Sequence, residues 1–180
     1  MAQSAGLPSM DEGPRIYIPQ SVVTKIDSFS LPRDFVVINC TSNAEEKSWS
    51  KEKWERLLRD IQRRYNIPVY EIGLKPFIEQ TDGLCTNLCG QLSILESAEV
   101  IRRAHLFIGI DSGPAHLANA AGTPGVILLG DYLGFSKYNP FSGSYGKHIN
   151  SSIIFSDSKV GNINPARVFS SVERFLSQRH

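Results

Sequence analysis

The sequence predicts an α/β domain built on a parallel sheet with helices on both faces. Two observations carry this. Short, near-continuous apolar runs rich in β-branched residues alternate with longer stretches of helical period, and runs apolar at every position suit strands buried on both faces. Strand and helix follow one another throughout, the order of a parallel sheet with crossover helices. At 180 residues the chain makes one domain with a substantial core, removing roughly 70% of its unfolded surface from water.

The elements follow in order. Phe35 to Cys40 is the first buried strand. A helix from about Ser50 to Tyr65 repeats Trp54, Leu57, Leu58, Ile61 and Tyr65 at helical spacing and stops at Asn66-Ile67-Pro68. Val69 to Ile72 is a second strand, and Leu84 to Leu88 a third, weaker one. Ser93-Ile94-Leu95-Glu96 fits a capping box, opening a helix with Ile94, Leu95, Ala98, Ile101 and Ala104 on one side. Strand Leu106 to Ile110 runs into the turn Asp111-Ser112-Gly113, and a helix with Pro114 in its first turn continues to Ala121, closed by Gly122-Thr123-Pro124. Gly125 to Gly130 is a further buried strand, and residues 131–150 have no period and read as a long loop. Ser152 to Phe155 is the last strand. Asn164-Pro165 opens a final helix that packs through Val168, Phe169, Val172, Phe175 and Leu176. Residues 1–15, rich in Ser, Gly and Pro, read as a disordered leader. Residues 16–34 read as a linker-like segment, with Ile16-Tyr17-Ile18 a short strand or extended chain, and 35–180 as the folded domain.

Composition narrows the function. Lys+Arg is 19 against Asp+Glu 18, a net charge of +1, which lacks the excess expected of a nucleic-acid or membrane-surface binder. No apolar run reaches the roughly 18 to 20 residues of a membrane span, and the first fifteen residues lack the apolar core of a secretory signal. A cytoplasmic location follows as the expectation. Cys40, Cys85 and Cys89 are odd in number and do not cluster with the four histidines, which argues for three reduced thiols and against a metal site.

The most informative stretch is Phe107 to Gly122, a strand, a sharp Asp111-Ser112-Gly113 turn and an immediate helix. Amides at a helix start lack intrahelical partners, and the dipole adds partial positive charge, so the turn suits a phosphate or diphosphate. The loop after the first strand, Thr41-Ser42-Asn43-Ala44-Glu45-Glu46-Lys47, offers hydroxyl donors and an ammonium. Each has a plainer reading: Ser50 caps a helix, and Asp111 caps the next one with His116 bonded to a carbonyl. Aromatics between Tyr132 and Tyr145 either line a pocket or pack on one another. No Gly-x-x-x-x-Gly-Lys-Ser/Thr loop, Gly-x-Gly-x-x-Gly turn or Gly-x-Ser-x-Gly elbow is present. Asp111, Ser112 and His116 crowd one turn and do not form a triad.

Together these motifs resemble glycosyltransferase family nine, the ADP-heptose lipopolysaccharide heptosyltransferases and their relatives. Gly109-Ile110-Asp111-Ser112-Gly113-Pro114-Ala115-His116, continuing to Gly130, is similar to the family's Asp-Ser/Thr-Gly-x-x-His segment. Val37 to Trp54 is similar to its hydroxyl-rich turn, Lys-x-Trp and helical Trp, and Leu92-Ser93-Ile94 matches more weakly. The resemblance implies a Rossmann-like domain, the C-terminal half of a GT-B fold, holding a nucleotide-diphosphate sugar such as ADP-heptose. By similarity Thr41, Ser42 and Lys47 contact the phosphates; Asp111, Ser112, Gly113 and His116 bind diphosphate and sugar; main chain near Leu92 meets the nucleobase. A ribose-gripping glutamate of some members falls near Phe77, with Glu79 a nearby substitute. The family's catalytic aspartate lies in the first of its two domains and has no counterpart here, so no catalytic residue, metal or cofactor is assigned. The implied partners are a nucleotide-sugar donor, a glycan or lipid-linked glycan acceptor and a separate N-terminal-domain chain, with the protein itself expected to be cytoplasmic and peripheral to the inner membrane. The alternative is a catalytically inactive nucleotide-sugar-binding or regulatory module.

Overall fold

The computed structural model describes residues 12–42, 44, 47–78, 83–131 and 139–178. Six strands form one sheet: β1 (Val36–Asn39), β2 (Val69–Glu71), β3 (Thr86–Asn87), β4 (Leu106–Ile110), β5 (Gly125–Gly130) and β6 (Ser151–Ser156). Every pairing is parallel and the order is β3-β2-β1-β4-β5-β6. This is the Rossmann order. Strand order reverses between β1 and β4, so the loops leaving these neighbours diverge and open a crevice at the carboxyl edge.

Alternation along each strand builds two cores. Val36 and Ile38 of β1, with Leu106, Ile108 and Ile110 of β4, face Trp54, Leu57, Leu58 and Ile61 of α2 (Lys51–Tyr65) and Val168, Val172 and Leu176 of α6 (Pro165–Leu176). Val37, Phe107 and Ile127 point the other way, among Val100 and Ile101 of α3 (Ile94–Arg103) and Ala115 and Ala118 of α4 (Gly113–Ala121). Both faces are therefore covered, as the apolar runs predict. The Ser93–Glu96 capping box is formed, and Asn164 caps α6 through the Ala166 amide.

Several expectations are corrected. Within the segment expected to be linker-like, Gln20–Asp27 is helix α1, with Ile26 in the core. It docks on α3 because Arg103 pairs with Asp27 and donates to the Val23 carbonyl, while Lys25 pairs with Glu96. These contacts are long-range, so no local period announces them. Of the two alternatives left open for Ile16–Ile18, no strand is formed there. Of the leader, residues 1–11 lie outside the described residues, and Gly13 lies against the backbone of Gly143. The loop after β5 contains a short helix, α5 (Gly143–Gly146), whose Tyr145 is buried and donates from its hydroxyl to the Thr123 carbonyl at 2.8 Å. Tyr132 and the rest of 132–138 lie outside the described residues, as does Glu79. The third strand is two residues long. Cys40, Cys85 and Cys89 are free and all buried.

Candidate functional site: a cleft at the strand-order switch

A cleft of about 810 Å³ opens where β1 and β4 end. Its polar end begins with the loop after β1. Trp49 is fully buried against Trp54, ring centroids 5.0 Å apart, and its indole N–H donates to the Ile163 carbonyl at 2.9 Å. Lys53 donates to the carbonyls of Gly161 and Ile163 from the following helix. The loop is thereby clamped from behind, and Lys47, two residues before Trp49, reaches into the cleft. Its ammonium lies 2.7 Å from Asp111 Oδ2, in the turn after β4. Two segments 64 residues apart in sequence thus meet at one point, and the pair is mostly buried, with side chains 22% and 16% exposed.

The side-chain capping bonds of the two plainer readings are not formed. Asp111 pairs with Lys47, and Ser112 occupies the cap position of α4 with no side-chain cap bond. Ser50 occupies the cap position of α2, likewise without one. Ser112 Oγ donates instead to Asn39 Oδ1 at 2.8 Å, with the Ile110 carbonyl at 3.2 Å. Ser42 Oγ donates to the Ala44 carbonyl and accepts from the Ala44 amide, so it braces its own loop. A side chain added at Gly113 would meet nothing within 4 Å. The main chain there is open to the cleft, as close approach by an anion requires. His116 stands at the rim, its Nε2 3.8 Å from Asp111 Oδ1 and its ring 4.9 Å from that of Phe141.

Of the eight residues that the family resemblance assigns to the site, Thr41, Ser42, Lys47, Leu92, Asp111, Ser112 and Gly113 line this one cleft and His116 does not. The other wall is aliphatic, made by Ile72 and Leu74 after β2, Leu92 and Ile94 before and within α3, and Leu117 of α4. Ile94, expected on the packed face of its helix, is 73% exposed, and Leu74 is 84% exposed. Ile94 is the first residue of α3, one turn before the buried Ala98, Val100 and Ile101. Leu74 and Lys75 belong to no motif of the sequence, and Ile94 enters only through the capping box and the weak Leu92-Ser93-Ile94 match. Asn39 was also missed, although a polar residue ending an otherwise apolar strand is a visible signal.

Glu71, at the end of β2, faces away from this role. Its carboxylate accepts from the Phe77 and Ile78 amides at 2.9 and 3.1 Å and pins the loop that carries Leu74 and Lys75. Burial pushes its carboxyl above the ordinary value, against the opposing pull of the two amides. Burial likewise raises the thiols of Cys85 and Cys89 to about 12 and Cys40 well above its usual value. They remain protonated at neutral pH and are poor nucleophiles.

Comparison with known proteins matches residues 1–133 to the model of glycosyltransferase family 9 (heptosyltransferase). The chain belongs to this family. Lipopolysaccharide heptosyltransferase 3 of Escherichia coli is 29% identical over 119 residues, covering 59% of this chain and 34% of that protein. Two solved structures share the family 9 fold. The family 9 glycosyl transferase of Veillonella parvula aligns with a TM-score of 0.75 at 18% identity, over 98% of this chain and 58% of that one. ADP-heptose lipopolysaccharide heptosyltransferase II of Escherichia coli aligns at 0.72 and 20% identity, over 97% and 57%. The chain thus spans from about a third to under three fifths of the length of these family 9 proteins. Among the described residues no helix is long and apolar enough to cross a membrane.

Proposed function

We propose that this chain is the donor-binding domain of a heptosyltransferase-like enzyme, holding a nucleotide-diphosphate sugar such as ADP-heptose in the cytoplasm. The observation that carries the reading is the convergence of Lys47, Asp111 and the open Gly113 main chain at the strand-order switch. The diphosphate sits on the Lys47 ammonium and the Ser112 and Gly113 amides, with Asp111 holding the lysine in place. The Thr41 hydroxyl adds a donor. The nucleobase lies along Leu74, Leu92 and Ile94, and His116 faces the sugar. Lys47 and the dipole of α4 supply positive charge toward the diphosphate.

In the reaction, the acceptor hydroxyl attacks the anomeric carbon, a base takes its proton, and the bond to the diphosphate breaks. This domain lowers the barrier by stabilising the departing nucleoside diphosphate. Asp111, the one carboxylate among the described cleft residues, is committed to Lys47, so the base and the glycan acceptor site come from another domain or chain. The same commitment favours a second reading, a nucleotide-sugar-binding module without catalysis.

A thermal-shift screen of ADP-, UDP- and GDP-sugars, followed by turnover assays with lipopolysaccharide-core acceptors, tests both readings. The first predicts stabilisation by one nucleotide class and turnover when a partner N-terminal domain is added. Stabilisation with no turnover under any pairing supports the module, and no stabilisation by any nucleotide sugar sinks both.

A further inference from the structure

One buried side chain joins the two halves of the cleft. Asn39 ends β1, in register with Gly109 of β4, and is 2% exposed. Its Nδ2 donates to the Ile72 carbonyl at 2.9 Å, where the chain leaves β2 for the aliphatic wall. Its Oδ1 accepts the Ser112 hydroxyl at 2.8 Å, in the turn that starts α4. The amide has one orientation, because the reverse would set Oδ1 against the Ile72 carbonyl oxygen. The contact is close: a side chain at Gly73 would come 3.3 Å from Asn39 Nδ2. Serine at a helix start ordinarily turns its oxygen onto the first-turn amides. Here Asn39 takes that hydroxyl, and the Gly113 amide has no protein acceptor among the described residues.

We propose that Asn39 is a positioning residue for the diphosphate. Through Ser112 it fixes the turn that presents the Gly113 amide beside Lys47. The proposal rests on the reading of the cleft as a nucleotide site. It assigns the Ser112 hydroxyl to Asn39, leaving Ser112 to meet the ligand through its main chain.

The test is a double-variant cycle on the whole chain, read as calorimetric affinity for ADP with adenosine as the control. Asn39→Ala and Ser112→Ala are each expected to weaken ADP about five- to thirtyfold, the range for residues coupled through one hydrogen bond, and adenosine much less. The double variant is expected to bind no more weakly than the worse single, and Ser112→Thr, which keeps the hydroxyl, to bind more tightly than Ser112→Ala. A loss with Ser112→Ala but none with Asn39→Ala means that the hydroxyl touches ligand directly, and overturns the proposal. Losses that multiply in the double variant overturn it too. Where Asn39→Ala lacks the wild-type melting transition, Asn39→Leu, of the same branching, replaces it in the cycle. Failure of the wild-type chain to bind ADP overturns the nucleotide reading itself, and the proposal with it.

Discussion

The two ends of the cleft are built from different chemistry. At the ends of β1 and β4, a buried ion pair, an uncapped helix start and a clamped loop set charge in fixed places. Along β2 and α3, Leu74 and Ile94 stand exposed with little around them. A diphosphate carries the same charge on every nucleotide, so its site gains from rigidity. A nucleobase presents a flat apolar face, and aliphatic side chains suffice to cover it. On the proposed nucleotide reading, charge recognition at this switch point depends on main-chain geometry and few residues, whereas the base wall is generic surface.

Separating the two ends by mutation is the sharpest use of this comparison. Lys47→Ala should have the largest effect, weakening nucleoside diphosphates by about 1.5–3 kcal/mol, the range for hydrogen bonds to charged groups, or roughly ten- to hundredfold. It also leaves Asp111 facing the anion. Calorimetry should show adenosine affinity unaltered, and an equal loss for both ligands would merge the two ends. Gly113→Leu fills space where a side chain meets no protein atom. It is expected to cost about tenfold in diphosphate affinity, ~1.4 kcal/mol, with the thermal midpoint held, since glycine is not required there by packing. A large fall in midpoint would show that the open main chain is structural.

At the other end, Leu74→Asp should weaken adenosine and ADP alike by about 1 kcal/mol, somewhat less than the full burial of a leucine. Inorganic diphosphate should bind as before. The smallest effect concerns the loop beneath that wall. Because the folded state raises the Glu71 carboxyl above its ordinary 4.5, its stabilising contribution is full below that pH and is lost as pH rises through the folded value. Glu71→Gln removes this dependence. Melting curves should therefore show wild type losing ground to the variant as the pH rises above about 4.5, and a constant difference would contradict the assignment.

The same division explains what could be read from the sequence. Strands β1, β4 and β5 are legible because each is apolar at nearly every position, and α2 because its charged residues leave one apolar stripe. The charged end of the cleft is legible because its residues lie in two short motifs, each at a strand end. Helix α1 was missed because its hold on α3 rests on Arg103–Asp27 and Lys25–Glu96, pairs that no local pattern records. Ile94 was missed because its helical spacing reads as core, and Leu74 because it falls in no patterned element; their exposure becomes apparent only in the fold. The hydroxyls of Ser42 and Ser112 were legible as residues but not as bonds. Their partners, Ala44 and Asn39, become apparent only in three dimensions.

The most direct test of the central claim is a crystal structure of the chain with ADP bound. The account predicts diphosphate oxygens in hydrogen-bond contact with Lys47 Nζ and the Gly113 amide, and adenine against Leu74 and Ile94. A diphosphate seated away from Lys47, or the nucleotide lying outside the crevice between β1 and β4, would contradict it.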